Sequence, residues 1–199
     1  MVKDFRNTDY WAVILGGSSG LGYASAKKLA NHGMNIIIIH RDRRSEIEDI
    51  EEAFESIRKT GVEFRSFNTD AIQKENRNEL VLNIKKSLGK HGKVRTLLHS
   101  IAKGNLKPML GEEQTLSNID FQLTIDAMAL SLYDWTKELY KNDLFAKDAR
   151  VIAFTSEGNK KAWKNYAAVS AAKVTLESLT RGIALEFAEK GIRANCIQA

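Results

Sequence analysis

Residues 11–22 read Trp11-Ala-Val-Ile-Leu-Gly-Gly-Ser-Ser-Gly-Leu-Gly22, and the fold turns on how they are read. Trp11 to Leu15 is a short apolar run of strand type. Gly16, Gly20 and Gly22 follow in the spacing G-x-x-x-G-x-G, and Leu21, Ala24, Ala26, Leu29 and Ala30 then recur at helical spacing as far as Gly33. The stretch is therefore a strand, a tight glycine turn and a helix. Glycine reaches backbone angles that other residues avoid and lets the chain approach a ligand closely. The free N–H groups at the helix start then face an anion, most often a pyrophosphate. The alternative is a turn that only packs a helix on a strand.

Outward from that turn, strands and helices alternate, which predicts a doubly wound α/β fold: a parallel sheet with helices on both faces. The second strand, Asn35 to His40, holds four consecutive Ile, as suits a strand buried on both sides. It ends in His40-Arg41-Asp42-Arg43-Arg44. An acidic residue at such a strand end commonly holds ribose hydroxyls, whereas guanidinium groups match a 2′-phosphate through paired hydrogen bonds. Arg41 and Arg43 thus favour NADPH. Asp42 keeps NADH as the alternative, and a solvated basic turn is the plainer reading. Further elements are a helix over 45–60, a strand from Val62 to Phe67, a helix over 73–88 and a strand from Lys93 to His99. A loop over 105–116 holds the single proline, Pro108, and a long helix follows from Ser117 to Tyr140. Arg150 to Phe154 is the fifth strand, a helix opening at Trp163 runs to Lys190, and Arg193 to Gln198 is the last strand.

The totals limit the function. A chain of 199 residues, 43% hydrophobic and 28% charged, is expected to form one domain, 1–199, with a sizeable core. Cys196 is the single cysteine, so no internal disulfide can form and a reducing compartment fits. Nothing near it in sequence would activate a catalytic thiol. The start lacks an apolar signal core, and no apolar run approaches about 18 residues, so a cytoplasmic protein without a membrane partner is expected. The net charge of +5 favours acidic partners. Basic and acidic residues are interleaved without a basic aromatic block, so no nucleic-acid partner is expected. No metal site is expected either.

Tyr166 and Lys173 stand seven residues apart in the last predicted helix. That is about two turns, so they share a face. The residues between them, Ala, Ala, Val, Ser, Ala and Ala, keep that face slim enough for a cofactor. A Tyr hydroxyl can stabilise charge developing on an oxygen or deliver a proton. A Lys ammonium favours the ionised phenol electrostatically. The plainer reading is a surface aromatic and an ordinary exposed lysine.

These motifs resemble the short-chain dehydrogenase/reductase family, whose loop reads T-G-x-x-x-G-x-G; Leu15 stands where that family usually has Thr. Most members use Y-x-x-x-K, but Val169 stands four before Lys173. The longer Y-x-x-x-x-x-x-K spacing resembles the branch that reduces enoyl thioesters on acyl carrier protein, as does His99-Ser100-Ile101-Ala102 in place of Asn-Asn-Ala-Gly. The resemblance implies a Rossmann-like sheet in the order 3-2-1-4-5-6. It implies Gly16, Ser18, Ser19, Gly20, Leu21 and Gly22 around the pyrophosphate, and Asp70 with the Ala71 N–H at the adenine edge. Asp70 is alternatively a helix N-cap. Ser100, Ile101 and Ala102 would lie beside the nicotinamide and its ribose. Lys173 would hold that ribose, and Tyr166 would stabilise an enolate. Ser156 matches the wider family's catalytic Ser but occupies the place of a second Tyr in many enoyl reductases; it assists the substrate oxygen or caps a loop. Asp126 stands where the broad family has Asn supporting a proton-relay water, or it is a buried, paired structural carboxylate. His99 reads as a neutral core imidazole with one hydrogen bond.

The implied function is NADPH-dependent reduction of the double bond of a trans-2-enoyl thioester, on acyl carrier protein or CoA, in fatty acid biosynthesis. The alternatives are a 3-oxoacyl-thioester or other carbonyl reductase and a non-catalytic dinucleotide-binding paralogue. The helix over 117–140, with the later one, would build a dimer interface in a homodimer or homotetramer. Resembled proteins continue for roughly another 50 residues, the size of a full domain. Their C-terminal edge strand and substrate lid are therefore expected to be missing, leaving an uncovered sheet edge as a liability.

Overall fold

The computed structural model describes residues 4–112 and 114–199. Along the chain run β1 (Tyr10–Leu15), α1 (Gly20–Asn31), β2 (Asn35–His40), α2 (Ile47–Arg58), β3 (Phe64–Asn68), α3 (Lys74–Leu88) and β4 (Lys93–His99). They continue with α4 (Asn118–Ile125), α5 (Ser131–Lys141), β5 (Phe145–Thr155), α6 (Ala167–Glu186) and β6 (Ile192–Gln198). The six strands pair in parallel in the order β3-β2-β1-β4-β5-β6, the order expected.

The strand pleat sorts the apolar side chains into two cores. Trp11, Val13, Leu15, Ile37 and Ile39 meet Leu80, Ile84, Leu132, Trp135 and Leu176 from α3, α5 and α6. Ala12, Ile14, Ile36 and Ile38 meet Ala26, Ala30, Phe54 and Ile57 from α1 and α2. All four Ile of β2 are 0% exposed, each contributing about 2 kcal/mol relative to exposure. No helix among the described residues is long and apolar enough to cross a membrane.

The structure departs from the sequence pattern in three places. β5 begins at Phe145, well before Arg150, because the register with β4 jumps from Val94↔Phe145 to Thr96↔Arg150. The extra residues carry Asp148, which pairs with Arg95 at 2.9 Å although Arg95 is 5% exposed. A polar bulge of this kind has no strand periodicity to read. The helix expected over 117–140 is α4 and α5 joined by a π-helical stretch, Asp126–Leu130. Asp126 is exposed there and makes no ion pair among the described residues, so it is not a buried, paired carboxylate. Finally, α6 starts at Ala167, with Tyr166 as its N-cap, because Asn165 takes a left-handed φ of 61°.

Candidate active site

The C-terminal ends of β1 to β4 open into a cleft of about 700 Å³, within the size range of cofactor sites. Gly16, Ser18, Ser19, Gly20 and Leu21 form its floor. Gly16 has φ +78°, and a Cβ there would lie 2.7 Å from the Ser100 carbonyl oxygen. Ser19 precedes α1 in extended backbone and its side chain caps no N–H, so the helix start is left open to an anion. Gly22, expected near the pyrophosphate, sits behind the turn. A Cβ there would lie 2.1 Å from the Gly16 carbonyl oxygen, so Gly22 closes the turn from behind and is not a wall of the cleft.

The next wall is the end of β2. The buried His40 ring meets Asp42 Oδ2 through Nδ1 at 2.7 Å. The Asn68 side chain accepts from the Asp42 N–H at 3.0 Å and donates to the Asp42 carbonyl at 3.1 Å. Arg41 and Arg43 both line the cleft. Arg41 pairs with Asp70 at 2.8 Å, which joins the group expected on a 2′-phosphate to the group expected on adenine. Such an exposed pair is worth about 1 kcal/mol or less, little enough for a nucleotide phosphate to displace. Asp70 is not the N-cap of α3; Gln73 is. Asp70 Oδ1 instead accepts from the Ile72 N–H at 2.9 Å. Ala71 also lines the cleft, and its carbonyl accepts from Trp135 Nε1 at 2.9 Å, a tether from α5.

Ser100, Ile101 and Ala102 form the wall beyond β4. His99, just before them, is 1% exposed, with Nε2 2.7 Å from Ser131 Oγ. Burial, with the Lys173 ammonium nearby, pushes its pKa down to about 3, so the imidazole is neutral. After Ala102 the chain passes onto the helices. The Asn105 N–H donates to Thr124 Oγ1 at 3.1 Å, and a Cβ at Gly104 would lie 2.6 Å from Val169 Cγ2. The segment after Ala102 is thereby packed against α4 and α6.

Lys173 is not an ordinary exposed lysine: it is 7% exposed, and Nζ donates to the Phe154 carbonyl at 2.6 Å. Burial lowers its pKa. Tyr166 is half-buried and packs edge-on against Trp163 at 5.2 Å. Its hydroxyl has no hydrogen-bond partner among the described residues, which leaves it free for a ligand oxygen. Ser156 Oγ is buried and unpartnered among the described residues and caps no helix. Tyr166, Lys173 and Ser156 are not walls of this cleft itself.

The sequence profile of the family described as "Enoyl-(Acyl carrier protein) reductase" matches residues 16–199. The chain belongs to this family of short-chain dehydrogenases/reductases. It is an NAD(P)H-dependent oxidoreductase, and the open α1 start and the close approach at Gly16 suit a dinucleotide. It is 25% identical over 197 residues to the enoyl-[acyl-carrier-protein] reductase [NADPH] FabI of Staphylococcus aureus, covering 98% of this chain and 73% of that protein. It is 26% identical over 193 residues to the diacetyl reductase [(S)-acetoin forming] of Staphylococcus epidermidis, covering 92% of this chain and 68% of the relative. A dehydrogenase/reductase from Sinorhizobium meliloti superposes with a TM-score of 0.84 at 21% identity, over 98% of this chain and 72% of that one, a likeness of fold.

Several wall residues of this short-chain reductase escape motif reading: His40, Thr69, Ile72 and Lys103. Each lies at or just after a strand end, and position in the fold was the one signal available.

Proposed function

We propose that the enzyme reduces the double bond of a trans-2-enoyl thioester, with NADPH as its reductant. The observation that carries this reading is the Tyr166–Lys173 pair on α6, at enoyl-reductase spacing, beside His99-Ser100-Ile101-Ala102 at the end of β4. When bound, NADPH supplies a hydride to the β-carbon of the thioester. The unpartnered Tyr166 hydroxyl donates a hydrogen bond to the thioester oxygen as negative charge builds there, and a proton passed through that hydroxyl to the enolate, replaced from solvent, completes the saturated product. Lys173 holds the nicotinamide ribose, and its ammonium favours ionisation of the phenol. Arg41 and Arg43 take the 2′-phosphate, and Asp70 with the Ala71 N–H takes adenine. The exposed Leu123, Leu130 and Val174 on α4, its π stretch and α6 suit a homodimer or homotetramer face. The basic surplus suits an acidic acyl carrier protein, in a cytoplasmic fatty acid pathway, and the described chain is read as a single NAD(P)-binding domain.

A second reading, a carbonyl reductase, is favoured by Ser156 at the wider family's serine position and by the diacetyl reductase relative. Crotonyl and acetoacetyl thioesters assayed side by side with NADPH separate the two. Turnover of the crotonyl thioester is expected; turnover of the acetoacetyl thioester alone overturns the first reading.

A further inference from the structure

Glu177 stands four residues after Lys173 on α6, so the two side chains lie on neighbouring turns of one face. Its Oε1 accepts from Thr155 Oγ1 at 2.6 Å and from the side-chain amide of Asn159. These donors bracket the turn of Ser156, Glu157 and Gly158. That turn is pressed against the candidate catalytic phenol: a Cβ at Gly158 would lie 2.5 Å from Tyr166 Cε1. The same strand end offers the Phe154 carbonyl to Lys173 Nζ. One carboxylate therefore fastens the turn beside Tyr166 and acts on the buried ammonium of Lys173.

We infer that Glu177 is a positioning residue for the Tyr166–Lys173 face, fixing the turn that carries Ser156 and supplying the negative charge that keeps buried Lys173 cationic. The inference rests on the proposed role of Lys173 as a cofactor ligand. The titratable groups acting on Lys173 are Cys196 on β6, then Glu177 on α6, with His99 on β4 and Tyr166 at the N-cap of its own helix. Burial raises the Cys196 pKa and lowers that of His99, so both are neutral near pH 7. Glu177 is left as the anion that offsets the desolvation of the ammonium.

The sign follows. A carboxylate near an ammonium favours its charged form, so loss of the charge lets Lys173 deprotonate at lower pH. The test is the pH dependence of NADPH affinity, read by NADPH fluorescence in wild type, Glu177→Gln and Glu177→Asp. Gln keeps oxygen for Thr155 and Asn159 but removes the charge. In E177Q the alkaline loss of affinity moves about one pH unit lower. E177D, which keeps the charge, stays at the wild-type position. Coincident curves for wild type and E177Q, or an E177D curve displaced as far as that of E177Q, overturn the inference. If E177Q does not fold, Thr155→Val decides: the expected result is a several-fold fall in kcat with the alkaline limb unmoved, and an unchanged kcat contradicts it. Binding is measured without turnover. A displaced limb in an enzyme that ignores crotonyl thioester therefore refutes the substrate reading and leaves this one standing.

Discussion

The two ends of the site are built differently. The nucleotide end is made of backbone: a glycine turn, an uncapped helix start and strand ends tied down by Asn68 and Trp135. Some of its charges are already paired, as in Arg41–Asp70. The α6 end is made of side chains. Lys173 is buried without a carboxylate bonded to it, Tyr166 has a free hydroxyl, and Ser156 Oγ lacks a partner. Paired, preformed groups suit binding, whereas unpaired polar groups held by their surroundings suit chemistry.

Substitutions at the two ends should therefore separate turnover from binding. The largest effect is expected from Tyr166→Phe. Losing one hydrogen bond to the developing charge lowers kcat by about 10²–10³-fold. NADPH affinity by fluorescence titration stays close to wild type, and comparable losses in both would erase the contrast. Gly16→Ala comes next. Its φ of +78° and the nearby Ser100 carbonyl predict a loss of about 1–3 kcal/mol of stability in denaturant unfolding, with weaker NADPH binding. Arg41→Ala is milder: NADPH binding falls about tenfold, the loss of one charge-assisted hydrogen bond, while NADH binding holds. Equal losses for both nucleotides would remove Arg41 from 2′-phosphate recognition.

A pH slope tests the buried strand end between the two. His99 has a folded pKa of about 3 against 6.5 for a free imidazole. The unfolded chain therefore binds more protons between those values, and stability falls as pH drops from 6.5 toward 3. His99→Gln should flatten that part of a pH series of urea unfolding curves. A slope equal to wild type would mean that His99 is not the group responsible.

The glycine turn and the strand ends around the cleft were legible because their determinants are local. A glycine spacing after a strand, or an arginine cluster at a strand end, survives in one dimension. The burial of Lys173 was not legible in the helical period, which leaves an exposed lysine equally open. What escaped reading depends on contacts between distant segments. Arg95 is buried by Asp148 across a bulge, Ala71 is held by Trp135, and Glu177 reaches back to Thr155 and Asn159. The π stretch at Asp126–Leu130 escaped because its residues differ little from those of an ordinary helix.

The most direct test is a crystal structure with NADP⁺ bound. Pyrophosphate is expected at Ser18–Leu21, the Lys173 ammonium on the nicotinamide ribose, and the Tyr166 hydroxyl beside the nicotinamide ring. A glycine turn without phosphate, or a Tyr166 hydroxyl turned away from that ring, would contradict that arrangement.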